Sequence, residues 1–206
     1  FMAPHDPRTM PREYLEVYAH TPPSLPPSFM PEHPFDNGEL TVRDEKLAAW
    51  PRTPDEVRGH IGEYYAMITH LDAQIGRVLD ALARTGRADD TIVILTGDNG
   101  LALGRHGLMG KQNLYDHSVR VPLVVSGPGI PRGETRDTFC YLIDIYPTLC
   151  ELTGAPIPSS VEGVSLAPAL RDSTYHTRDT LWFGYRDVQR AVQDEQHKLI
   201  EYVVDG

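Results

Sequence analysis

Thr91-Ile-Val-Ile-Leu-Thr-Gly-Asp-Asn-Gly100 is the stretch on which the fold turns. Thr91 to Leu95 is a short unbroken run rich in β-branched residues. Such a run reads as a strand covered on both faces, hence part of a helix-flanked, largely parallel sheet in an α/β domain. In such sheets ligands sit beyond the carboxyl ends of the strands, and this chain places Asp98 and Asn99 there. Both offer hard oxygen ligands for a divalent cation. Asp-Asn-Gly is also good turn chemistry, so position after the strand is what favours the metal reading. Calcium takes about six to eight oxygens and magnesium about six, so two residues complete neither site. A glycine-spaced loop follows and carries His106 and Lys111, donors suited to an oxyanion. Metal and oxyanion chemistry meeting at a strand's carboxyl end point to hydrolysis of a sulfate or phosphate ester.

Upstream lies the clearest helix, residues 53–85. Thr53-Pro54-Asp55-Glu56 is a capping box with proline at the first helical position. Val57, Ile61, Tyr64, Ile68, Leu71, Ile75, Val78 and Leu82 form a helical stripe, and Gly86 is its terminator. Six prolines between residues 22 and 34 exclude helix and central strand. That segment is a long surface loop. Phe29, Met30 and Phe35 interrupt it, which favours a wall of the site over a plain linker. Residues 1–12 read as a strand end running into a loop.

Downstream, Val121 to Ser126 is a further strand ended by Gly127-Pro128-Gly129. A strand end and then a short helix follow in Tyr141 to Leu152, with Asp144 as cap, Pro147 in the first turn and Gly154 closing it. Ser165 to Leu170 makes one more helical turn. After about Arg171 the pattern changes, and Thr180–Tyr185, Val188–Gln193 and Lys198–Val204 read as short antiparallel strands. The expected organisation is an α/β region over residues 1–170 and a partial C-terminal antiparallel α+β subdomain over 171–206.

The chain has 206 residues and a net charge of −10, and its 19 Lys and Arg are scattered. That argues against nucleic-acid binding, which needs clustered cations. No apolar run approaches the roughly 18 residues of a spanning helix. Cys140 and Cys150 lie in or beside apolar segments and read as buried free thiols. His5 stands in Ala-Pro-His-Asp-Pro, where flanking prolines hold the backbone for a positioned donor or general acid. Lys111 would place a cation on a developing negative charge. For His106 three roles stay open: contact with the same anion, contact with the leaving group, or a bond to a backbone carbonyl. Arg120 reads as a structural ion-pair partner, with Asp116 the candidate, and Tyr115 and His117 as wall residues. No nucleophile is evident: neither cysteine has a proline two residues on or an arginine four on, and Gly-x-Ser-x-Gly is absent.

These residues resemble the C-terminal half of a type I sulfatase, within the alkaline-phosphatase-like superfamily. Thr96-Gly-Asp-Asn-Gly100 resembles the family's calcium-binding segment. Gly110-Lys111, followed by Tyr115 and Val119-Arg-Val-Pro122, is similar to its sulfate-contacting lysine segment, and Pro4-His-Asp-Pro7 to its earlier sulfate-contacting histidine. Asp144-Ile-Tyr-Pro-Thr-Leu149 and Gly163-Val-Ser-Leu166 match in order and spacing. Leu103-Gly-Arg-His-Gly107 is most similar to the iduronate-sulfatase-like and choline-sulfatase-like branch. The resemblance implies an α/β fold with a mostly parallel sheet and calcium, rather than magnesium, at Asp98 and Asn99. It implies His5 and Lys111 as catalytic and sulfate-binding groups, with His106 beside the substrate. It implies a sulfated small molecule or carbohydrate as substrate, and a periplasmic, secreted or lysosomal compartment.

By the same resemblance the nucleophile is a formylglycine made in a Cys/Ser-x-Pro/Ala-x-Arg motif. This chain lacks that motif and the paired aspartates that complete the calcium site. Both lie upstream in the family, so the expectation is a piece of a longer enzyme, inactive alone and missing its N-terminal half. Such a piece should expose apolar sheet surface. Two alternatives stand beside this one. A phosphodiesterase or phosphonate monoester hydrolase of the same superfamily would share the metal and lysine geometry. A non-catalytic binding protein would keep a vestigial site.

Overall fold

The computed structural model describes residues 1–204; Asp205 and Gly206, the end of the expected 171–206 subdomain, lie outside the described residues. Packing divides the chain into two compact units. The first comprises residues 1–91 and 99–120, the second 92–98 and 121 onward. The chain passes from the second back to the first at the peptide joining Asp98 to Asn99.

In the first unit, helix α2 runs over Pro54–Arg84, capped by the Thr53 hydroxyl accepting from the Glu56 N–H at 3.4 Å. Val57 and Ile61 of the stripe are buried, and so are Ala66 and Met67 outside it, while Ile68 of the stripe is exposed. Val78 and Leu79 are exposed, so the apolar face is covered only along the N-terminal part. Helix α1, Arg12–Ala19, was not expected. It packs on α2 through Tyr14 against His70, Tyr18 against Tyr65, and a Tyr18–Thr69 hydroxyl bond of 2.8 Å. The segment before α1 makes turns rather than a strand end, with the His5 N–H on the Met2 carbonyl at 3.0 Å.

The proline-dense loop packs against the 103–107 turn. The His106 N–H donates to the Ser28 carbonyl at 2.7 Å, and the Arg52 N–H to the Pro31 carbonyl at 2.7 Å. Of its three apolar interruptions only Phe29 joins the core cluster of Ala48, Val57, Ile61, Leu103 and Met109. Met30 and Phe35 stay exposed. A short 3₁₀ turn, Arg43–Leu47, follows the loop, and Asp44 and Glu45 within it are buried. Helix α3 is a single turn, Asp116–Val119. Arg120, expected in an ion pair, is exposed and closes this turn with its backbone N–H on the Asp116 carbonyl at 2.9 Å.

In the second unit, β1, Val93–Thr96, pairs with β2, Leu123–Ser126. The α/β class stands, but the pairing is antiparallel, with Val93 opposite Ser126 and Thr96 opposite Leu123. Among the described residues no parallel pair occurs. A β-branched run specifies a strand but not the direction of its neighbour. The expected cover on both faces is also incomplete: Leu95 is 46% and Val124 55% exposed. Helix α4, Ile145–Thr153, closes on Gly154 in the left-handed region, and α5 spans Ala167–Arg171. Strands β3, Leu181–Tyr185, β4, Gln189–Gln193, and β5, Lys198–Tyr202, form an antiparallel meander in the order β3-β4-β5. Both cysteines are free thiols.

Candidate active site

The loop after Asn99 is anchored where it begins. The Gly100 N–H donates to the Ser118 carbonyl at 2.9 Å. A side chain on Gly100 would run into the His117 carbonyl, so only glycine lets these strands of chain approach. Asp98 is exposed at the end of its segment, and the Asn99 amide nitrogen donates to the Gly100 carbonyl at 2.9 Å. An ionised carboxylate and an amide oxygen fit a hard divalent cation by donor type. Among the described residues, no three His, Cys, Asp or Glu come together as a metal-holding group.

The next turn is tight. Leu103 and His106 have φ of 49° and 55°, and Gly104 and Gly107 are also in the left-handed region. At Gly107 a Cβ would collide with the Glu32–His33 backbone, so the residue is fixed as glycine by the proline-dense loop. Behind it the His33 ring bonds through Nδ1 to the His106 carbonyl at 2.8 Å. The His106 ring stacks on Tyr115 with centroids 4.3 Å apart and planes 12° off parallel. His117 lies 5.6 Å from Tyr115 at 28° and 5.8 Å from His106. Three half-buried rings thus form one near-parallel group. Burial, and next His33 and Arg105, push the His106 imidazolium down from its ordinary range. Burial thus favours the neutral form of the His106 ring.

Lys111 is half-buried, and its N–H donates to its neighbour's Gln112 Oε1 at 3.1 Å. Gln112 Nε2 donates to Asp44 Oδ2 at 3.0 Å, and Arg43 donates to Asp44 Oδ1 at 2.7 Å. Arg43 also lies 3.5 Å from Asp6, the neighbour of His5. Burial works to raise the Asp44 carboxyl. The bonds from Gln112 and Arg43, with the nearby charges of Arg43 and Lys111, outweigh it and hold the group below its ordinary value. His5 itself is exposed, its Nδ1 at 2.8 Å from the Asp6 carbonyl. The His5 and Lys111 segments are thereby joined through Asp6, Arg43, Asp44 and Gln112.

Sequence reading missed the anchor of this loop. Glu45 accepts from the Met109 N–H at 2.9 Å and the Gly110 N–H at 2.8 Å. Arg52, its side chain fully buried, donates to Glu45 at 2.7 Å and also bonds to the Ala48 carbonyl. Arg8, beside the His5 motif, is equally hidden: it bonds to His60 and reaches Glu63 at 3.2 Å and Asp6 at 3.6 Å. Burial and the Arg8 charge lower the His60 pKa, keeping that ring neutral. Asp44 and Glu45 stand in the charged run Arg43-Asp-Glu-Lys46, which carried no sign of their burial.

Residues 1–155 match the Sulfatase family. Choline-sulfatase of Rhizobium meliloti is 32% identical over 174 residues, covering 82% of this chain and 34% of its own length. The multifunctional alkaline phosphatase superfamily protein PehA of Trinickia caryophylli is 38% identical over 151 residues, covering 68% and 29%. Among solved structures, the phosphonate monoester hydrolase of Agrobacterium radiobacter superposes with a TM-score of 0.83 at 26% identity, over 98% of this chain and 47% of that one. BT4656 in complex with its substrate D-glucosamine-2-N,6-O-disulfate gives 0.80 at 21% identity, over 97% and 55%, a likeness of fold. The chain spans about a third of the length of these two curated relatives.

Proposed function

Because the chain belongs to the sulfatase family, we propose that it carries the electrophile- and leaving-group-handling part of a site that hydrolyses sulfuric esters. The observation that carries this reading is the tethering of the His5 and Lys111 segments to one turn, through Asp6–Arg43 and Asp44–Gln112. Lys111 brings an ammonium to the sulfate oxygens, where charge grows as the ester bond breaks. His5, exposed to solvent, would give a proton to the departing alcohol. His106, Tyr115 and His117 offer a flat wall to that alcohol, which suits a small sulfated molecule or a sugar ring.

Asp98 and Asn99 would hold a calcium ion, with magnesium less suited to so loose a donor set. When bound, such an ion supplies positive charge to the sulfate oxygens. Its remaining ligands and the formylglycine nucleophile are not among these 206 residues, so the chain by itself turns over no ester. In this reading residues 1–170 belong to the catalytic domain and 171–206 to a C-terminal subdomain. No helix among the described residues is long and apolar enough to cross a membrane; a periplasmic, secreted or lysosomal site of action fits the family resemblance.

A second reading has its own support: the fold of a phosphonate monoester hydrolase superposes closely, and PehA shares 38% identity. The two part on one experiment. The complete reading frame is sequenced and its product assayed with p-nitrophenyl sulfate and p-nitrophenyl phenylphosphonate. A Cys/Ser-x-Pro/Ala-x-Arg motif and preference for the sulfate support the first reading. Preference for the phosphonate supports the second. Loss of neither activity on Lys111→Ala overturns both, and a product with no nucleophile and no turnover leaves a vestigial binding protein.

A further inference from the structure

The segment that presents Lys111 is clamped on both sides by a turn far away in sequence. On one side Glu45 takes the N–H groups of Met109 and Gly110, one on each oxygen. On the other, Gln112 takes the Lys111 N–H and is itself held by Asp44. Gly110 sits in the jaws: a Cβ there would stand 2.8 Å from Gln112 Oε1 and 2.9 Å from both the Asp44 Cβ and Glu45 Oε1. We propose that the 3₁₀ turn Arg43–Leu47 is the positioning element of Lys111, with Glu45, Asp44 and Gln112 as its positioning residues. This rests on the reading of Lys111 as the donor to the ester's anion.

Two physical points favour positioning over plain stability. A buried ion pair such as Glu45–Arg52 carries a desolvation cost that a well-packed apolar pair would not. What the carboxylate does, and an apolar group would not, is accept two loop N–H groups at once. A lysine ammonium also rides on a flexible four-carbon stem, so its placement depends on how firmly its Cα is held. The same turn reaches the other donor, since Arg43 bridges Asp44 at 2.7 Å and Asp6 at 3.5 Å. One turn thereby sets the roots of both groups that face the ester.

The test is a double-mutant cycle on the product of the complete reading frame, with p-nitrophenyl sulfate as substrate. Gln112→Ala is expected to lower kcat by about tenfold with KM nearly unchanged, because misplacement of a catalytic group costs rate. In a Lys111→Ala background the same substitution should cost nothing further. Additive losses, or a rise in KM at constant kcat, overturn the proposal. The hold itself is read separately in the 206-residue chain carrying Glu45→Gln. Amide exchange should quicken at Met109, Gly110 and Lys111 while Tyr141 and Val164 keep their protection. Unchanged exchange at the three amides overturns the clamp. If Lys111→Ala alone leaves kcat unaltered, the donor role of Lys111 has failed and the positioning role with it. The exchange result then tells that failure apart from failure of the clamp.

Discussion

Glu45 in the first unit and Asp144 in the second are built to one plan. Each is a buried carboxylate whose two oxygens take two backbone N–H groups and one arginine. Asp144 accepts from Tyr141 at 2.7 Å and Val164 at 2.8 Å and is gripped by Arg178 at 2.6 and 3.0 Å. Glu45 accepts from Met109 and Gly110 and is met by Arg52. What they hold differs. Asp144 fastens the start of α4 to the 163–166 segment, where Leu166 donates to Thr148 at 2.8 Å and Gly163 has no room for a side chain against the Ile143 carbonyl. Glu45 fastens the loop that carries Lys111. The two motifs that resembled the family most plainly beyond residue 140, at 144–149 and 163–166, are therefore two halves of one structural joint. The residues that hold the Lys111 loop carried no motif at all.

The comparison can be broken by substitution. Glu45→Ala should cost the most, about 3–5 kcal/mol, because it strands the Arg52 guanidinium in a fully buried place. Asp144→Ala should cost about 2–3 kcal/mol, since Arg178 loses charged hydrogen bonds but keeps solvent contact at 17% exposure and a bond to the Phe139 carbonyl. Urea unfolding of each variant checks the order; a larger loss at Asp144 would refute it. Thr53→Ala touches neither joint and removes only the α2 cap, so about 1 kcal/mol is expected from the same measurement.

Acid sharpens the contrast. Burial tends to raise the Asp144 carboxyl, but Arg178 and the Tyr141 and Val164 N–H groups overcome this and hold it low. With the folded pKa depressed, the unfolded chain binds more protons, so stability rises with pH through that range. The contribution is present above the unfolded value of about 3.9 and is lost as pH falls through the folded one. Asp144→Asn should flatten the acid limb of the stability curve, measured by urea unfolding between about pH 5 and pH 3. The smallest effect concerns His106. Its depressed pKa should appear as an imidazole NMR titration below the ordinary value of about 6.5. A midpoint at or above that value would favour a cationic His106.

What the sequence disclosed follows the range of the interaction. The α2 cap lies within three residues and was readable; Asp144, expected to cap α4, makes no side-chain cap bond to it and accepts from the Tyr141 and Val164 N–H groups instead. The C-terminal strands were placed to within a residue or two because their apolar alternation is local. Glu45 meets Met109 and Gly110 at separations of 64 and 65 residues, and Asp44 meets Gln112 at 68. No periodicity spans such distances, and an acidic pair in a polar stretch looks like solvated surface. The β1–β2 direction failed for a related reason: composition identifies a strand, while its neighbour's direction depends on the path of chain between them. Asp98, Asn99, His5 and Lys111 were visible as types at telling positions, but not what keeps them there.

The two tryptophans of the chain fall one to each unit. Trp50 is 39% exposed and has the Arg52 guanidinium 3.6 Å above its ring, on the far end of the Glu45 joint. Trp182 stands 69% exposed on β3, its N–H and carbonyl both tied to the Tyr141 hydroxyl. The molecule thus comes with a pair of intrinsic fluorophores of different environment. With Trp182 replaced by phenylalanine, the emission of Trp50 becomes an optical gauge of the clamp beneath Lys111, readable in real time without a label.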